Sequence, residues 1–351
     1  MTINRTGVEI EPLKEGNILY TFLNIVMGPY LHVKWFVRDT DWTPQGFSTV
    51  VTPTFLFWFA FTLVIILLAS IFDTAFMRIP FVERLHCFLK KLEPYQFIVL
   101  RVGLGLALLL QLITGTYLAP DLVTQHWGVY VLLIIAIIGL YHKRTLVISG
   151  AALLTLFMIA SITYGLFHSL DYIFYLGVIY YLFVAATRFH HTALAVLYSF
   201  TGLSLAWLAM EKLTLAKLAC SLMHEYSITP MGFTVEEFVL ISAFIELGLA
   251  WAFIVGLLNR FTALLLTGLF LTTTVLFGWT EIIGHLVVHT LLIIFLVGGR
   301  DKHPFLHKLK RFPILRHSLL LLLFCVLLFG LMFIYIWMGQ PTSGLSVGLS
   351  L

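Results

Sequence analysis

The most informative residues are an acid and two imidazoles within one apolar stretch. Glu281, His285 and His289 occur at positions i, i+4 and i+8 of WTEIIGHLVVHTLL. On an α-helix they line one face with a modest rotation, and at ~1.5 Å per residue they cover about 12 Å. Histidine changes charge near neutral pH, so the row is typical of a proton path.

The same spacing is also compatible with a metal site. His-x3-His places two imidazoles one turn apart on a common side of a helix, as many zinc sites do. Glu281, His285 and His289 are therefore the alternative metal ligands, although a second helix would have to complete the set. In the structural alternative, Glu281 is a favourable charge at a helix N-terminus, and both histidines only pack between helices.

Two further ionisable residues belong to this hypothesis. Glu246 lies about nine residues inside an apolar stretch, where burial favours the protonated carboxyl unless a cation pairs with it. Lys212, next to Glu211, ends the preceding stretch and either snorkels to the membrane surface or pairs with Glu246 or Glu281. The predicted catalytic residues are Lys212, Glu246, Glu281, His285 and His289.

The composition shows which environment must hold these residues. Of 351 residues, 60% are hydrophobic and 11% are charged, against about 25% charged in soluble domains. Lipid leaves backbone groups to be paired internally, and the apolar runs are continuous rather than alternating. The sequence predicts an all-α, polytopic transmembrane helix bundle in contact with the lipid bilayer.

About ten spans are predicted, preceded by a helix at the membrane surface over 17–36, a run that Gly28 and Pro29 interrupt. The predicted spans are 54–76, 97–118, 127–141, 145–167, 170–187, 192–210, 237–257, 261–278, 281–298 and 318–338.

The loops between these spans alternate in charge. One set is rich in Lys and Arg, and the other set, which includes the long loop 211–236, is poor in them. Basic loops stay on the cytoplasmic side, so we expect a protein of the bacterial inner membrane with its carboxyl terminus outside. Asp121, His126 and His168 fall in the outward loops, and Asp171 is interpreted as a charge that caps the fifth span.

An internal repeat is predicted from the order of the elements. Aligning Gly105 with Gly202 superposes two four-helix units, each with a tight basic turn at its middle. The predicted divisions are 1–53 (polar segment and surface helix), 54–96 (first span and basic loop), 97–189 (first unit), 190–300 (second unit) and 301–351 (basic loop and final span).

The second unit resembles the DoxX family of small four-helix membrane proteins. The matching elements are Glu211-Lys212 at a helix end, Glu246 and Gly248 ahead of Arg260, and the ending FLVGGRDK. The resemblance implies a membrane subunit of quinone-linked redox chemistry, such as thiosulfate oxidation, or of an oxidative-stress complex. The first unit departs from this pattern, since Gly115 stands where the lysine is expected.

Other classes of function lack their sequence signatures. There is no GxxxxGK[ST], GxGxxG, HExxH or CxxCH motif, and no basic pattern interleaved with aromatics that would indicate nucleic acid. Cys87, Cys220 and Cys325 are scattered, which favours packing roles.

Three hypotheses remain from the sequence. The first is a subunit of quinone-linked redox chemistry with an outward Glu/His site, quinone as its possible cofactor and a protein partner that supplies electrons. The second is a proton or metal-ion transporter that uses the same residues. The third is a non-catalytic assembly or scaffolding subunit of a membrane complex.

Overall fold

The structure, a computed structural model, describes residues 33–36, 43–76, 78–298 and 312–340. Its helices are α1 Phe47–Val50, α2 Pro53–Phe76, α3 Pro80–Lys91, α4 Gln96–Thr114, α5 Trp127–Gly139, α6 Leu146–Thr163, α7 Leu166–Ser169, α8 Phe174–Val184, α9 Ala193–Thr214, α10 Ala216–Glu225, α11 Val235–Val255, α12 Asn259–Phe277, α13 Trp279–Gly298 and α14 Pro313–Gly339. Short 3-10 turns include Val33–Trp35 and Leu170–Tyr172.

The helices confirm an all-α membrane bundle. Within the described ranges, 8 helices are long and apolar enough to cross a membrane, or up to 9 if Leu166–Tyr172 and Phe174–Val184, bent by 63°, form one span. The third predicted span is the shorter apolar helix α5. Each predicted span therefore coincides with an apolar helix, and the chain is an integral membrane protein.

The second predicted span is too long at its carboxyl end. Helix α4 stops at Thr114 because Gly115 adopts a left-handed conformation with φ 70°, a common helix terminator. The chain then forms a small antiparallel ladder between β1 (Thr116–Tyr117) and β2 (Ala119–Val123). The Leu118 amide donates a hydrogen bond to the side-chain oxygen of Gln111 at 3.0 Å. This bond satisfies a backbone N–H that is no longer part of a helix.

The helices that carry the predicted site form the interior of the bundle. In the membrane-spanning stretch of α9, 72% of the residues are buried, and the share is 67% in both α11 and α13. In the peripheral helices α2 and α14 it is only 22% and 28%. Helices α9 and α11 pack so closely that a Cβ on Gly202 would lie 2.7 Å from the Ala250 carbonyl oxygen. Glycine at this position permits the close contact. Ionisable groups on these helices are thus shielded from lipid.

The packing of the two predicted units is reciprocal. Helix α4, the first of one unit, packs against α13, the last of the other, and α9 packs against α8 in the same way. Such reciprocal packing, in which the first helix of each unit contacts the last helix of the other, is expected of two related units that face each other. The duplication and the predicted boundaries at 97, 190 and 301 stay predictions.

Successive helices run antiparallel, which gives the bundle two chemically different ends. The acidic end is where α4, α6, α9 and α12 finish and α5, α8, α11 and α13 begin. The basic end is the opposite one and carries α3 and the α5–α6, α8–α9 and α11–α12 turns. The predicted loop 211–236 at the acidic end contains helix α10 and packs in part against α11.

Candidate functional site

Lys212 and Glu246 form a buried ion pair between α9 and α11. The Lys212 ammonium donates to Glu246 Oε2 at 2.7 Å, and the side chains are 1% and 0% exposed. The lysine therefore does not snorkel to the surface, and the pairing with Glu246 considered from the sequence is the one that occurs. The second oxygen, Glu246 Oε1, has no hydrogen-bond partner among the described residues.

A second buried lysine comes from the amino-terminal part of the chain. Lys34 Nζ lies 3.0 Å from Asp171 Oδ2 and 3.0 Å from Glu211 Oε2. Asp171, interpreted from the sequence as a helix cap, makes no side-chain cap hydrogen bond to α8, and its carboxylate is 2% exposed and paired with Lys34. Its backbone carbonyl also accepts a hydrogen bond from Ser204 Oγ at 2.6 Å.

The predicted surface helix over 17–36 falls almost wholly outside the described residues. Only 33–36 are described: Val33–Trp35 form a 3-10 turn whose Lys34 side chain reaches the buried carboxylates of Asp171 and Glu211. The lysine neutralises these two acids, which would otherwise be buried anions. The surface helix itself stays a prediction.

The first unit contributes an acid–imidazole pair to the same end. His168 Nε2 lies 2.7 Å from Asp121 Oδ2, and the Tyr172 hydroxyl donates to Asp121 Oδ1 at 2.8 Å. His168 Nδ1 is also 3.8 Å from Asp171 Oδ2. Asp121 is therefore connected through His168 to the carboxylate that Lys34 neutralises.

Two of the three predicted residues on α13 interact directly. His285 Nδ1 hydrogen-bonds with Glu281 Oε2 one helical turn away, and both side chains are 1% exposed. The Phe270 ring lies 4.4 Å from the His285 ring, centroid to centroid. His289 is half-buried and contacts the edge of Phe270 at 5.7 Å, so it lies next to the pair rather than within it.

Trp35 connects these groups. Its indole N–H donates to the Tyr172 hydroxyl at 3.0 Å, and its ring lies 5.0 Å from the His285 ring. A Cβ on Gly284 would overlap the indole, so glycine is what admits Trp35 at this point. We call the polar residues Lys34, Asp121, His168, Asp171, Tyr172, Glu211, Lys212 and Glu246 the lysine cluster, and Glu281 with His285 the imidazole pair.

Carboxylates outnumber lysines in the lysine cluster. Lys212 neutralises Glu246, whereas Lys34 faces both Asp171 and Glu211. A buried charge without compensation is expensive and is usually relieved by a proton. The arrangement is therefore suited to holding at least one proton among its acids and imidazoles.

Two groups outside the spans show the balance of burial and charge. Burial opposes the charged form of Lys34, but Asp171 and Glu211 outweigh it and raise its pKa well above 10.5. Burial also raises the pKa of Asp121, but the His168 charge and the hydrogen bonds from His168 and Tyr172 prevail and lower it below 3.8. Lys34 is thus held as a cation and Asp121 as an anion.

A narrow crevice borders the imidazole pair between α8, α9, α12 and α13. Its polar edge consists of His285, Thr201 and Ser204, and the remainder is apolar: Phe174, Leu205, Leu208, Phe270 and Val288. Thr201 Oγ1 is buried and has no hydrogen-bond partner among the described residues. The crevice is therefore an apolar space with a hydroxyl and an imidazole at one side.

The described residues give no support to the metal alternative. In the ranges 33–36, 43–76, 78–298 and 312–340, no three His, Cys, Asp or Glu side chains are grouped so as to hold a metal ion. Glu281 and His285 bind each other instead.

Known proteins provide no identification. Comparisons with protein-family models, curated proteins and solved structures give no match. The resemblance to DoxX stays a prediction, and the geometry of the site carries the functional argument.

Sequence reasoning identified the imidazole pair and both members of the Lys212–Glu246 pair. It missed Lys34, Trp35 and the role of Asp171. A signal for the first was present, because a lysine late in the apolar run 17–36 needs either water or an anion.

Proposed function

We propose that the chain is a membrane subunit of quinone-linked redox chemistry and that the imidazole pair exchanges protons with the quinone. The observation that carries this proposal is the position of the buried Glu281–His285 pair beside the apolar crevice. The resemblance of the second unit to DoxX points to the same class of chemistry.

The crevice has the chemistry that a quinone ring requires. Its apolar side, which includes Phe174, Leu205 and Phe270, is compatible with a lipophilic ring, and Thr201 and His285 can donate hydrogen bonds to carbonyl oxygens. The crevice itself has room for about one water molecule, so a quinone ring enters only when the side chains that line it move apart. Reduction of a quinone to a quinol takes up two electrons and two protons, and the electrons would come from a partner protein.

The residues of the pair have separate roles in this proposal. His285 donates a proton toward the crevice, and imidazole is the side chain best matched to proton transfer near neutral pH. Glu281 orients the ring through Nδ1 and stabilises its protonated form. The lysine cluster, which reaches His285 through Trp35, holds further protons and offsets negative charge through Lys212.

Quinone that co-purifies with the protein tests this proposal. The protein is isolated in nanodiscs, and quinones are extracted into organic solvent and quantified per chain. We expect bound quinone in the wild type, loss in His285→Ala, and retention in the control His190→Ala, whose imidazole is exposed at the basic end. Absence of quinone from the wild type, or equal retention in both variants, would reject the proposal.

Transport of protons or metal ions is the second candidate. The observation in its favour is a buried ion pair at the basic end, where Arg316 lies 3.5 Å from Asp73 and the adjacent His317 contacts Ser70 at 2.8 Å. Polar groups thus occur toward both ends of the bundle. Uptake driven by pH or metal in proteoliposomes, abolished by Glu246→Gln, would favour transport over redox chemistry.

A further inference from the structure

Helix α3 is a short amphipathic helix between two spans at the basic end. Its 12 residues, PFVERLHCFLKK, begin with Pro80 and end with Lys90 and Lys91. All of them are described, and none is buried. At ~1.5 Å per residue the helix is about 18 Å long, which is too short to cross a bilayer.

Among the residues that the structure describes, none buries the apolar side of α3. Phe81, Leu85 and Phe88 occur at i, i+4 and i+7 and therefore share one face, and they are 73%, 39% and 58% exposed. Arg84 and Lys91 lie at the edge of this face and Lys90 lies on the opposite side, with Glu83 as the single acid of the helix. This division of apolar and basic residues is typical of helices that lie in a membrane surface.

Contacts with α12 and α13 fix the position of α3 along the direction perpendicular to the membrane. Arg260, at the start of α12, hydrogen-bonds with the His86 ring and donates to the His86 carbonyl at 3.1 Å. The same guanidinium donates to the Val297 carbonyl near the end of α13 at 3.0 Å. Because spans α12 and α13 meet the membrane surface at these ends, α3 is held at that surface.

We propose that α3 binds the bilayer surface and recognises anionic phospholipids. Phe81, Leu85 and Phe88 enter the boundary between headgroups and acyl chains, while Arg84, Lys90 and Lys91 contact lipid phosphates. The charge of the helix favours anionic over zwitterionic headgroups, since each basic residue near an anionic surface contributes to binding. This surface is separate from the site at the acidic end and is independent of the proposed redox function.

The depth of α3 provides the first test. In full-length protein without its native cysteines, an environment-sensitive fluorophore is attached at Phe88→Cys on the apolar face or at Lys90→Cys on the opposite side of the helix, and the protein is placed in nanodiscs. We expect a quencher on the lipid acyl chain to act much more strongly at position 88, and aqueous iodide to act more strongly at position 90. Strong iodide quenching at both positions, or protection of position 88 from both quenchers by a protein partner or a second copy, would overturn the proposal.

Lipid selectivity provides the second test. Binding of short-chain phosphatidylglycerol and phosphatidylcholine to the detergent-solubilised protein is measured by native mass spectrometry. For the Arg84→Gln/Lys90→Gln/Lys91→Gln variant we expect the affinity for phosphatidylglycerol to fall at least about fivefold, which corresponds to the loss of one charged contact. The control Lys143→Gln/Arg144→Gln, with exposed charges in the α5–α6 turn, should change it far less. Equal affinity for both lipids in the wild type, or an unchanged triple variant, would contradict the inference.

Discussion

Lys212 on α9 and Glu246 on α11 form an ion pair of 2.7 Å in which neither side chain is more than 1% exposed. It joins the two helices that pack most extensively in the bundle. A pair at this depth is maintained only while both partners are present, because each one compensates the desolvation of the other. The pair therefore links the stability of the bundle to its candidate site.

Removing one partner of this pair should be costly. We expect Lys212→Met to lower the free energy of unfolding by about 3–5 kcal/mol, because Glu246 is left as a buried acid without its cation. The double variant Lys212→Met/Glu246→Leu should recover most of the loss. Thermal unfolding in one detergent measures both, with Lys217→Met on the exposed side of α10 as the control. Additive effects of the two substitutions would show that the residues do not act as a pair.

Removing Lys34 should cost more stability as pH rises. The pKa of Lys34 is raised above 10.5 by Asp171 and Glu211, so its own charge is fully present below the unfolded pKa and is lost only as pH rises through the folded one. In Lys34→Met, Asp171 and Glu211 lose their cation, and burying them then requires a proton. We therefore expect the melting temperature of Lys34→Met to fall further below that of the wild type as pH rises. Asp171→Asn in the same background should restore part of it. A deficit that shrank as pH rose would contradict the pairing of Lys34 with these acids.

Asp121 predicts the opposite pH dependence. Its pKa is lowered below 3.8, so the stability it contributes is present above that value and is lost as pH falls through the folded pKa. The difference in melting temperature between the wild type and Asp121→Asn should be largest at mildly acidic pH, where His168 is charged and pairs with Asp121, and should shrink in strong acid. A difference that vanished at mildly acidic pH would show that Asp121 is not held in its charged form.

The contact of Trp35 with Gly284 can be tested by a size exchange. Gly284→Ala should destabilise the protein, because its methyl group displaces the indole that reaches Tyr172 and His285. In a Trp35→Leu background the same substitution should have a much smaller effect. The control Gly268→Ala, whose added Cβ would meet nothing within 4 Å, should be neutral or slightly stabilising, because alanine favours helix. Equal effects of Gly284→Ala in both backgrounds would rule out the contact.

The membrane fold was predictable because lipid imposes a simple rule. A chain of continuous apolar runs separated by charged turns has little choice but to form spanning helices, and each predicted span coincides with a helix. The predicted helix boundaries are wrong where a run of apolar residues continues past the end of the helix. At Gly115 a left-handed residue ends α4, and the apolar residues that follow form a hairpin.

The site was only partly predictable, for a different physical reason. Glu281 and His285 are one turn apart on the same helix, so their spacing alone brings them together. Lys34 and Asp171 are 137 positions apart, and their pairing depends on how an amino-terminal turn enters the bundle. Nothing in local periodicity encodes that contact, although the expense of an unpaired charge in an apolar run indicates that a partner must exist.

The most direct test of the central claim is a quinone titration. A short-chain quinone is added to the protein in nanodiscs, and binding is followed by quenching of tryptophan fluorescence, to which Trp35 beside His285 contributes. We predict saturable binding to the wild type and to His190→Ala, with binding at least tenfold weaker in Glu281→Gln and His285→Ala. Binding of equal strength in all four proteins, or none to a folded wild type, would contradict a quinone site at the Glu281–His285 pair.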